Sequence, residues 1–273
     1  MNQGPIGVFD SGYGGLTVLK EIKKQLPHYS YLYLGDSARS PYGNRSFETV
    51  YQYTLQAVKY LFTQNCPLII LACNTASAKA LRTIQQKDLP QIAPDRRVLG
   101  VIRPSVEAIG DITKTGHVGV LGTKGTINSN SFPLEINKLF PQIKVHQHAC
   151  PLWVPIVENN EMMSEGAAFF IKKDIEKLLN INSSIDTIIL GCTHYPILEP
   201  IIRKYVPQHI KIIPQHRIVA NSLKDYLFRH PELESKCTKE ENCNYLTTDD
   251  VETFSSFGNI FMEEPIIAKK VQL

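Results

Sequence analysis

The stretch IILACNTAS (residues 69–77) returns with small changes as IILGCTHYP (residues 188–196). In each copy, an apolar run typical of a buried strand ends on a cysteine, and short polar side chains follow at once. A cysteine that closes a buried strand is more often a small core residue than a reactive one. The repetition, with polar residues after both cysteines, favours a functional interpretation of Cys73 and Cys192.

Short apolar runs alternate with longer segments of helical period along the whole chain. The predicted strands are residues 5–10, 31–36, 67–72, 98–102, 117–122, 144–149, 186–191, 210–214 and 243–248. Amphipathic segments lie between most of them, and one carries Leu16, Leu19, Ile22 and Leu26 on a single helical face. This alternation predicts an α/β protein with mainly parallel sheets and helices on both faces. Ligands of such sheets bind beyond the carboxyl ends of the strands, where both cysteines fall.

A second pair of motifs repeats in the same order as the cysteine motifs. GVFDSGYGG (residues 7–15) resembles GVLGTKGT (residues 119–126) at an offset of 112, and the two cysteines lie 119 residues apart. Two motif pairs in register predict two similar α/β halves. If a pseudo-twofold axis relates the halves, Cys73 and Cys192 approach one pocket in the cleft between them, which explains why the cysteine turn occurs twice.

The repeat also suggests where the domains divide. We expect residues 1–97 together with 208–273 to form the first α/β domain, which carries Cys73. Residues 98–207 are expected to form the second α/β domain, which carries Cys192.

Composition excludes several classes of protein. The net charge is +3 and no dense block of Lys and Arg occurs, so nucleic acid is not an expected partner. No apolar run approaches the ~20 residues that span a bilayer, so no membrane association is expected. The opening residues, MNQGPIGVFDSG, lack the basic leader and apolar segment of a secretory signal. The six cysteines are therefore expected to remain thiols in a reducing cytoplasm.

Two thiols on opposite faces of one substrate suit inversion at a carbon atom. One group removes a proton from one face, and the other returns a proton to the opposite face. Both cysteines are predicted to lie where a strand meets a helix N-terminus, so we expect the helix dipole to favour the thiolate and lower each thiol pKa. Asn74, Thr75 and Thr193 are candidate donors to the carboxylate of the resulting carbanion.

Two further side chains are candidates for acid–base roles. Asp10 ends the first predicted strand in the same layer as the cysteines, and can hold a substrate ammonium group or orient a cysteine. His194 can orient or deprotonate Cys192. The glycines of DSGYGG (residues 10–15) permit a tight turn, but the segment lacks the dinucleotide fingerprint because Thr17 stands where its third small residue belongs.

The stretch HQHAC places His146, His148 and Cys150 on one face of a predicted strand. This set is compatible with metal ligation, but simple strand alternation explains it equally well. Because no fourth ligand is suggested nearby, we expect no metal.

Together, six segments resemble the glutamate racemases of the cofactor-independent aspartate/glutamate racemase superfamily. They are DSGYGG (10–15), GDSARSPYG (35–43), CNTAS (73–77), GTKGT (122–126), CPLWVPIVE (150–158) and GCTHYP (191–196). The resemblance runs in order from about residue 5 to residue 206, and more loosely to the end. It implies interconversion of L- and D-glutamate without a cofactor, in an enzyme that is commonly a homodimer. It also implies a supply of D-glutamate for peptidoglycan synthesis, and so a role in cell wall biogenesis and cell shape.

The resemblance also implies roles for individual residues. Cys73 and Cys192 match the two proton donor/acceptor cysteines, Asp10 and His194 match residues that assist them, and Glu158 matches an acidic residue near the second cysteine. The implied substrate-binding residues are Asp10, Ser11, Pro41, Tyr42, Gly43, Asn74, Thr75, Thr193 and His194.

The end of the chain departs from the family pattern at two places. Gln215 and His216 stand where the family usually has Asp-Ser, and LTTDD (residues 246–250) stands where Thr-Thr-Gly-Asp is commoner. Neither place is expected to carry proton transfer.

Four alternatives remain open from the sequence. An aspartate racemase is the nearest, although the segments PYG and CPLWVPIVE argue against it. A Cys/His hydrolase with a covalent thioester needs one nucleophile only, so it would survive the loss of Cys192. A binding module of the same fold would tolerate Cys73→Ser. A redox pair is disfavoured because neither cysteine lies in a Cys-x-x-Cys motif.

Overall fold

The structure, a computed structural model, describes residues 3–273 and contains every strand that the sequence predicts. The strands are β1 Ile6–Asp10, β2 Tyr31–Gly35, β3 Leu68–Leu71, β4 Arg97–Gly100, β5 His117–Gly122, β6 Lys144–Ala149, β7 Thr187–Gly191, β8 Lys211–Ile213, β9 Cys243–Thr247 and β10 Ala268–Lys270. All neighbouring strands pair in parallel. The predicted α/β class with parallel sheets is confirmed.

Helices connect successive strands. They are α1 Leu16–Gln25, α2 Phe47–Thr63, α3 Asn74–Lys79, α4 Leu81–Thr83, α5 Leu89–Ile92, α6 Ile102–Glu107, α7 Lys124–Asn128, α8 Ser131–Leu139, α9 Trp153–Glu158, α10 Glu165–Ile181, α11 Glu199–Tyr205, α12 Gln215–Arg229, α13 Pro231–Glu234 and α14 Val251–Met262. Single 3-10 turns span Ser37–Arg39, Tyr42–Asn44 and Tyr195–Leu198, and a π-helical turn spans Ile84–Asp88.

Local sequence explains where the two longest helices begin. Ser46 precedes α2, and its hydroxyl accepts a hydrogen bond from the N–H of Thr49. Ser164 precedes α10 and accepts in the same way from the N–H of Ala167. Each serine satisfies one of the N–H groups that a helix start leaves without an intrahelical partner.

The two sheets repeat one strand order. In the six-stranded sheet the order is β10-β9-β2-β1-β3-β4, and in the four-stranded sheet it is β6-β5-β7-β8. The segment β2-β1-β3-β4 of the first sheet therefore has the same order of neighbours as β6-β5-β7-β8 in the second. Cys73 follows β3 and Cys192 follows β7, which are equivalent strands. The repeat found in the sequence thus places both cysteines at equivalent carboxyl ends.

Two short strands lie at or beyond the predicted domain boundaries and pair across them. The boundary predicted after residue 97 falls inside β4, which pairs with β3 in the first sheet. β8, which lies beyond the boundary predicted after residue 207, pairs with β7 in the second sheet. In chain order, each is the fourth of the four strands that the two sheets share. The division into two domains itself stays a prediction.

Burial of the central strands follows from the layers that cover them. β1, β3 and β7 are buried along their whole length because helices cover both faces of each sheet. On α1, the predicted apolar face of Leu16, Leu19 and Ile22 is fully buried against the first sheet. Within residues 3–273, none of the helices combines the length and the apolar character needed to cross a bilayer.

Candidate active site

One pocket at the carboxyl ends of both sheets contains both cysteines. The predicted site residues that line it are Ser11, Pro41, Tyr42, Gly43, Cys73, Asn74, Thr75, Cys192, Thr193 and His194. The other two predicted residues, Asp10 and Glu158, lie behind this lining and contact Thr193 and His194 respectively. The structure therefore brings the predicted set together from segments that lie far apart in the chain.

Cys73 lies between β3 and the short helix α3, which it caps. The N–H of Ala76 donates to Cys73 Sγ at 3.5 Å, and the sulfur also contacts Ser11 Oγ at 3.5 Å. Burial and the neighbouring Asp10 carboxylate raise the pKa of the Cys73 thiol to about 12. The contacts with Ser11 and Ala76 act in the opposite direction and offset only part of this increase. The predicted lowering of the Cys73 pKa is wrong, because desolvation outweighs a helix of only six residues.

Cys192 has different surroundings from those the sequence predicts. No α-helix begins directly after it, since a 3-10 turn follows and α11 starts only at Glu199. The nearest polar partner of Cys192 is a histidine, since His194 Nδ1 lies 3.9 Å from Cys192 Sγ. The other ring nitrogen, His194 Nε2, lies 3.1 Å from Glu158 Oε1. The imidazole therefore links the sulfur to a carboxylate.

The electrostatics of this chain follow from its hydrogen bonds. Burial alone lowers the pKa of His194, but the hydrogen bonds to Cys192 and Glu158 outweigh it and raise the pKa to about 10. At neutral pH the imidazole is therefore positively charged, and it lies between Cys192 Sγ and the Glu158 carboxylate. The two cysteines thus differ: Cys73 is held as a neutral thiol, and Cys192 faces a cation.

Asp10 connects the two halves of the site from below the pocket. Its fully buried carboxylate accepts from the N–H of Gly12 at 2.9 Å and from Thr193 Oγ1 at 3.4 Å. Burial raises the pKa of Asp10, while the charge of His194 acts in the opposite direction.

The loop after β1 packs so closely that a Cβ on Gly14 would collide with the side chains of Thr193 and His194. Glycine is therefore required at this position.

Tyr42 and Gly43 belong to a short turn in the pocket wall. The Tyr42 side chain is buried, and its hydroxyl donates to Asp36, so it is already engaged within the protein. Tyr42 begins a single 3-10 turn after Pro41, and the first N–H groups of such a turn lack partners within it. Any contribution of this segment to ligand binding therefore comes from backbone N–H groups.

Hydroxyl groups from both halves meet beside Gly43 in the pocket wall. Thr75 Oγ1 lies 3.0 Å from Thr123 Oγ1, and Thr123 Oγ1 lies 3.1 Å from Thr126 Oγ1. Thr123 lines the pocket but was not among the residues predicted from the sequence. The internal repeat held the signal that finds it, because Thr123 stands 112 residues after Ser11 and follows the equivalent strand.

His146 and His148, the histidines considered as metal ligands, contact different partners. The His146 ring stacks on His117. His148, Cys150 and Asp174 instead form the group whose donor atoms lie within 4.8 Å of one another. His148 Nε2 is already 3.0 Å from Asp174 Oδ1, so a hydrogen bond accounts for two of these three side chains.

The sequence profile of the family described as Asp/Glu/Hydantoin racemase matches residues 6–223, which include both cysteine motifs. The chain belongs to the Asp/Glu/hydantoin racemase family. The matched range covers both sheets except β9 and β10. The family resemblance predicted from the six sequence segments is therefore confirmed.

Family members named glutamate racemase match this chain along its full length. The glutamate racemase of Streptococcus thermophilus is 38% identical over 274 residues, which cover 100% of this chain and 97% of that relative. The crystal structure of glutamate racemase isoform RacE1 from Bacillus anthracis is 36% identical, with a TM-score of 0.90 and coverage of 100% and 99%. The structure from Francisella tularensis, in complex with D-glutamate, is 34% identical, with a TM-score of 0.88 and coverage of 100% and 98%.

Proposed function

We propose that this protein is a glutamate racemase that interconverts L- and D-glutamate with two cysteines as its acid and base. The observation that carries the proposal is that two thiols with unlike surroundings line one pocket. Burial keeps a proton on Cys73, while the imidazolium of His194 faces Cys192. We assign Cys73 as the acid and Cys192 as the base, the two groups that inversion at carbon requires. The full-length similarity to glutamate racemases supports glutamate as the substrate.

The proposed reaction needs one proton removed and one returned. The Cys192 thiolate takes the α-proton, and the electron pair of that C–H bond remains on the α-carbon. Cys73 then delivers its own proton to the opposite face and becomes the thiolate. The product has the opposite configuration, and exchange with solvent or a turnover in reverse restores both sulfurs. The thiols supply all the acid–base groups, so the proposed reaction needs no pyridoxal phosphate.

The remaining predicted residues take supporting roles in this proposal. Asn74, Thr75 and Thr193 provide donors for the substrate carboxylates. Asp10 stabilises the substrate ammonium group or orients Cys73, which it approaches closely enough to raise that thiol's pKa. Glu158 keeps His194 charged through their hydrogen bond.

The experiment is a racemisation assay with each enantiomer of glutamate and of aspartate, without added cofactor, followed by circular dichroism. We expect loss of optical rotation with both glutamates and none with aspartate. Cys73→Ser and Cys192→Ser should each abolish it. Racemisation of aspartate alone would move the assignment to aspartate racemases. A hydrolytic activity that survives Cys192→Ala would favour the Cys/His hydrolase instead.

The biological setting is also part of the proposal. D-Glutamate made by this reaction would supply peptidoglycan synthesis in the cytoplasm. The homodimer and the cytoplasmic location both stay predictions from the sequence. Light scattering coupled to size-exclusion chromatography tests the first, since a dimer has twice the 30.8 kDa mass of one chain.

A further inference from the structure

Gln215 makes a reciprocal pair of hydrogen bonds with a residue of the pocket wall. Asn74 Nδ2 donates to Gln215 Oε1 at 2.8 Å, and Gln215 Nε2 donates to Asn74 Oδ1 at 3.0 Å. The two residues lie 141 positions apart, and both side chains are buried, with 2% of Asn74 and 4% of Gln215 exposed. Nothing in the sequence assigned Gln215 a part in the site.

A third hydrogen bond fixes the direction of this pair. Gln215 Nε2 also donates to the carbonyl oxygen of Val101 at 3.2 Å. A carbonyl oxygen can only accept, so the nitrogen end of the Gln215 amide must face Val101. That choice leaves Gln215 Oε1 to accept from Asn74, and it forces the nitrogen of Asn74 toward Gln215. A backbone carbonyl thereby determines the orientation of an amide two residues away in the network.

The orientation of the Asn74 amide matters because Asn74 lines the pocket. Its Nδ2 group has two hydrogens, of which Gln215 takes one. The other hydrogen has no hydrogen-bond partner among residues 3–273 and remains available to an anionic ligand. If the amide were reversed, its oxygen would take the place of this donor and would repel a carboxylate.

We propose that Gln215 is a positioning residue for glutamate racemisation, and that it holds the Asn74 amide with its donor directed at the substrate carboxylate. This inference rests on the proposed function. It also gives a reason for the departure from the family pattern, where Asp-Ser is usual at this place. An aspartate can accept from Asn74 Nδ2 but has no hydrogen to donate to Val101, so it cannot fix the amide by the same route.

The main test compares Gln215→Met with a matched control. Methionine keeps the length of the side chain and removes all three hydrogen bonds. We expect the KM for glutamate to rise about tenfold, with kcat changed by less than about threefold, because a contact to the carboxylate is made in both ground and transition states. Ser105→Ala removes the hydrogen bond that Ser105 Oγ donates to the same Val101 carbonyl at 2.8 Å. This control should change KM by less than about twofold.

A double-mutant cycle separates positioning from a merely structural role. If Gln215 acts through Asn74, Gln215→Met has no further effect on KM once Asn74→Ala is present. Independent, multiplying effects of the two substitutions would overturn the proposal, as would an unchanged KM in Gln215→Met. If the methionine variant fails to fold, Gln215→Glu replaces it. Glutamate keeps the acceptor for Asn74 but cannot donate to Asn74 or to Val101. A KM rise of about threefold would support the proposal, and an unchanged KM would refute it.

A spectroscopic measurement does not depend on the reaction. Side-chain amide hydrogens of Asn74, assigned by their loss in Asn74→Ala, should exchange slowly with solvent in the ligand-free protein. Gln215→Met should accelerate this exchange about tenfold or more, because one hydrogen loses its buried partner. Unchanged exchange would overturn the contact itself. Faster exchange in a protein that does not racemise glutamate would instead refute the proposed function and leave the contact standing.

Discussion

Glu158→Gln tests whether the carboxylate of Glu158 keeps His194 charged beside Cys192. Glutamine has the same shape, and its oxygen can still accept from His194 Nε2, which lies 3.1 Å from Glu158 Oε1 in the native protein. The substitution therefore removes the negative charge and leaves the hydrogen bond. We expect the pKa of His194 to fall from its value of about 10.

The size of the fall follows from the geometry of the pair. A neighbouring opposite charge at hydrogen-bond distance shifts a pKa by about 1–3 units. The Glu158 side chain is 22% exposed, so water screens part of the attraction, and the surviving neutral hydrogen bond retains another part. We therefore expect a decrease of about one to two units, or roughly 1.4–2.7 kcal/mol. The histidine of the variant would then titrate near pH 8–9 (about one to two units below wild type).

Two assays measure this change. Titration of His194 by NMR of carbon-13-labelled histidine gives the pKa directly. The pH profile of kcat/KM should show its alkaline limb at a lower pH by the same amount, so the variant loses up to about tenfold at pH 9 and little at pH 7. The sign follows because the imidazolium beside Cys192 becomes neutral at a lower pH in the variant.

Asp174→Asn is the matched control, since Asp174 pairs with a different histidine, His148, at 3.0 Å. It should leave the titration of His194 unchanged. A Glu158→Gln protein in which His194 titrates at the wild-type value, with an unshifted alkaline limb, would refute the assigned electrostatic link between Glu158, His194 and Cys192.

Two further predictions concern stability. Asp186 accepts hydrogen bonds from the N–H groups of Lys114 and Thr115, and although burial opposes it, hydrogen bonding lowers the pKa of Asp186 to about 2. Because the folded pKa lies below the unfolded one, this stabilisation is present above about pH 4 and is lost as the pH falls through about 2. In urea titrations, Asp186→Asn should lower the free energy of unfolding by about 1–2 kcal/mol at pH 7, and the difference should vanish near pH 2; a difference independent of pH would contradict this. Ser164→Ala removes the cap of α10 and should cost about 1 kcal/mol in the same assay, whereas an unchanged urea midpoint would show that the cap contributes nothing.

Sequence patterns predicted the fold well where burial leaves a continuous apolar signal. The strands next to the cysteines are short β-branched runs covered on both faces, so their pattern is unambiguous. β10 was missed because Ala268–Lys270 is only three residues long, two of them exposed, and is a strand only through its pairing with β9. The pairing partners of β4 and β8 could not be predicted for a related reason, since strand pairing is a long-range property.

The site divides in a similar way into what sequence can and cannot reveal. The cysteines and their polar neighbours are adjacent in the chain, so the sequence motifs predict that they share a site. The pKa of Cys73 was predicted in the wrong direction because its desolvation depends on the folded surroundings of the sulfur. The hydrogen bond between Asn74 and Gln215 joins residues 141 positions apart, and no local sequence pattern predicts it.

The most direct measurement of the two-thiol account is the fate of deuterium in the first moments of reaction. L-Glutamate is incubated with the protein in D2O, and both enantiomers are isolated while conversion is small. If Cys73 and Cys192 act on opposite faces, the new D-glutamate carries deuterium at the α-carbon, because its proton comes from a thiol that has exchanged with solvent. The recovered L-glutamate then remains unlabelled. D-glutamate that retains the original proton, or L-glutamate that gains deuterium as fast as product forms, would show that one group both removes and returns the proton and would contradict the account.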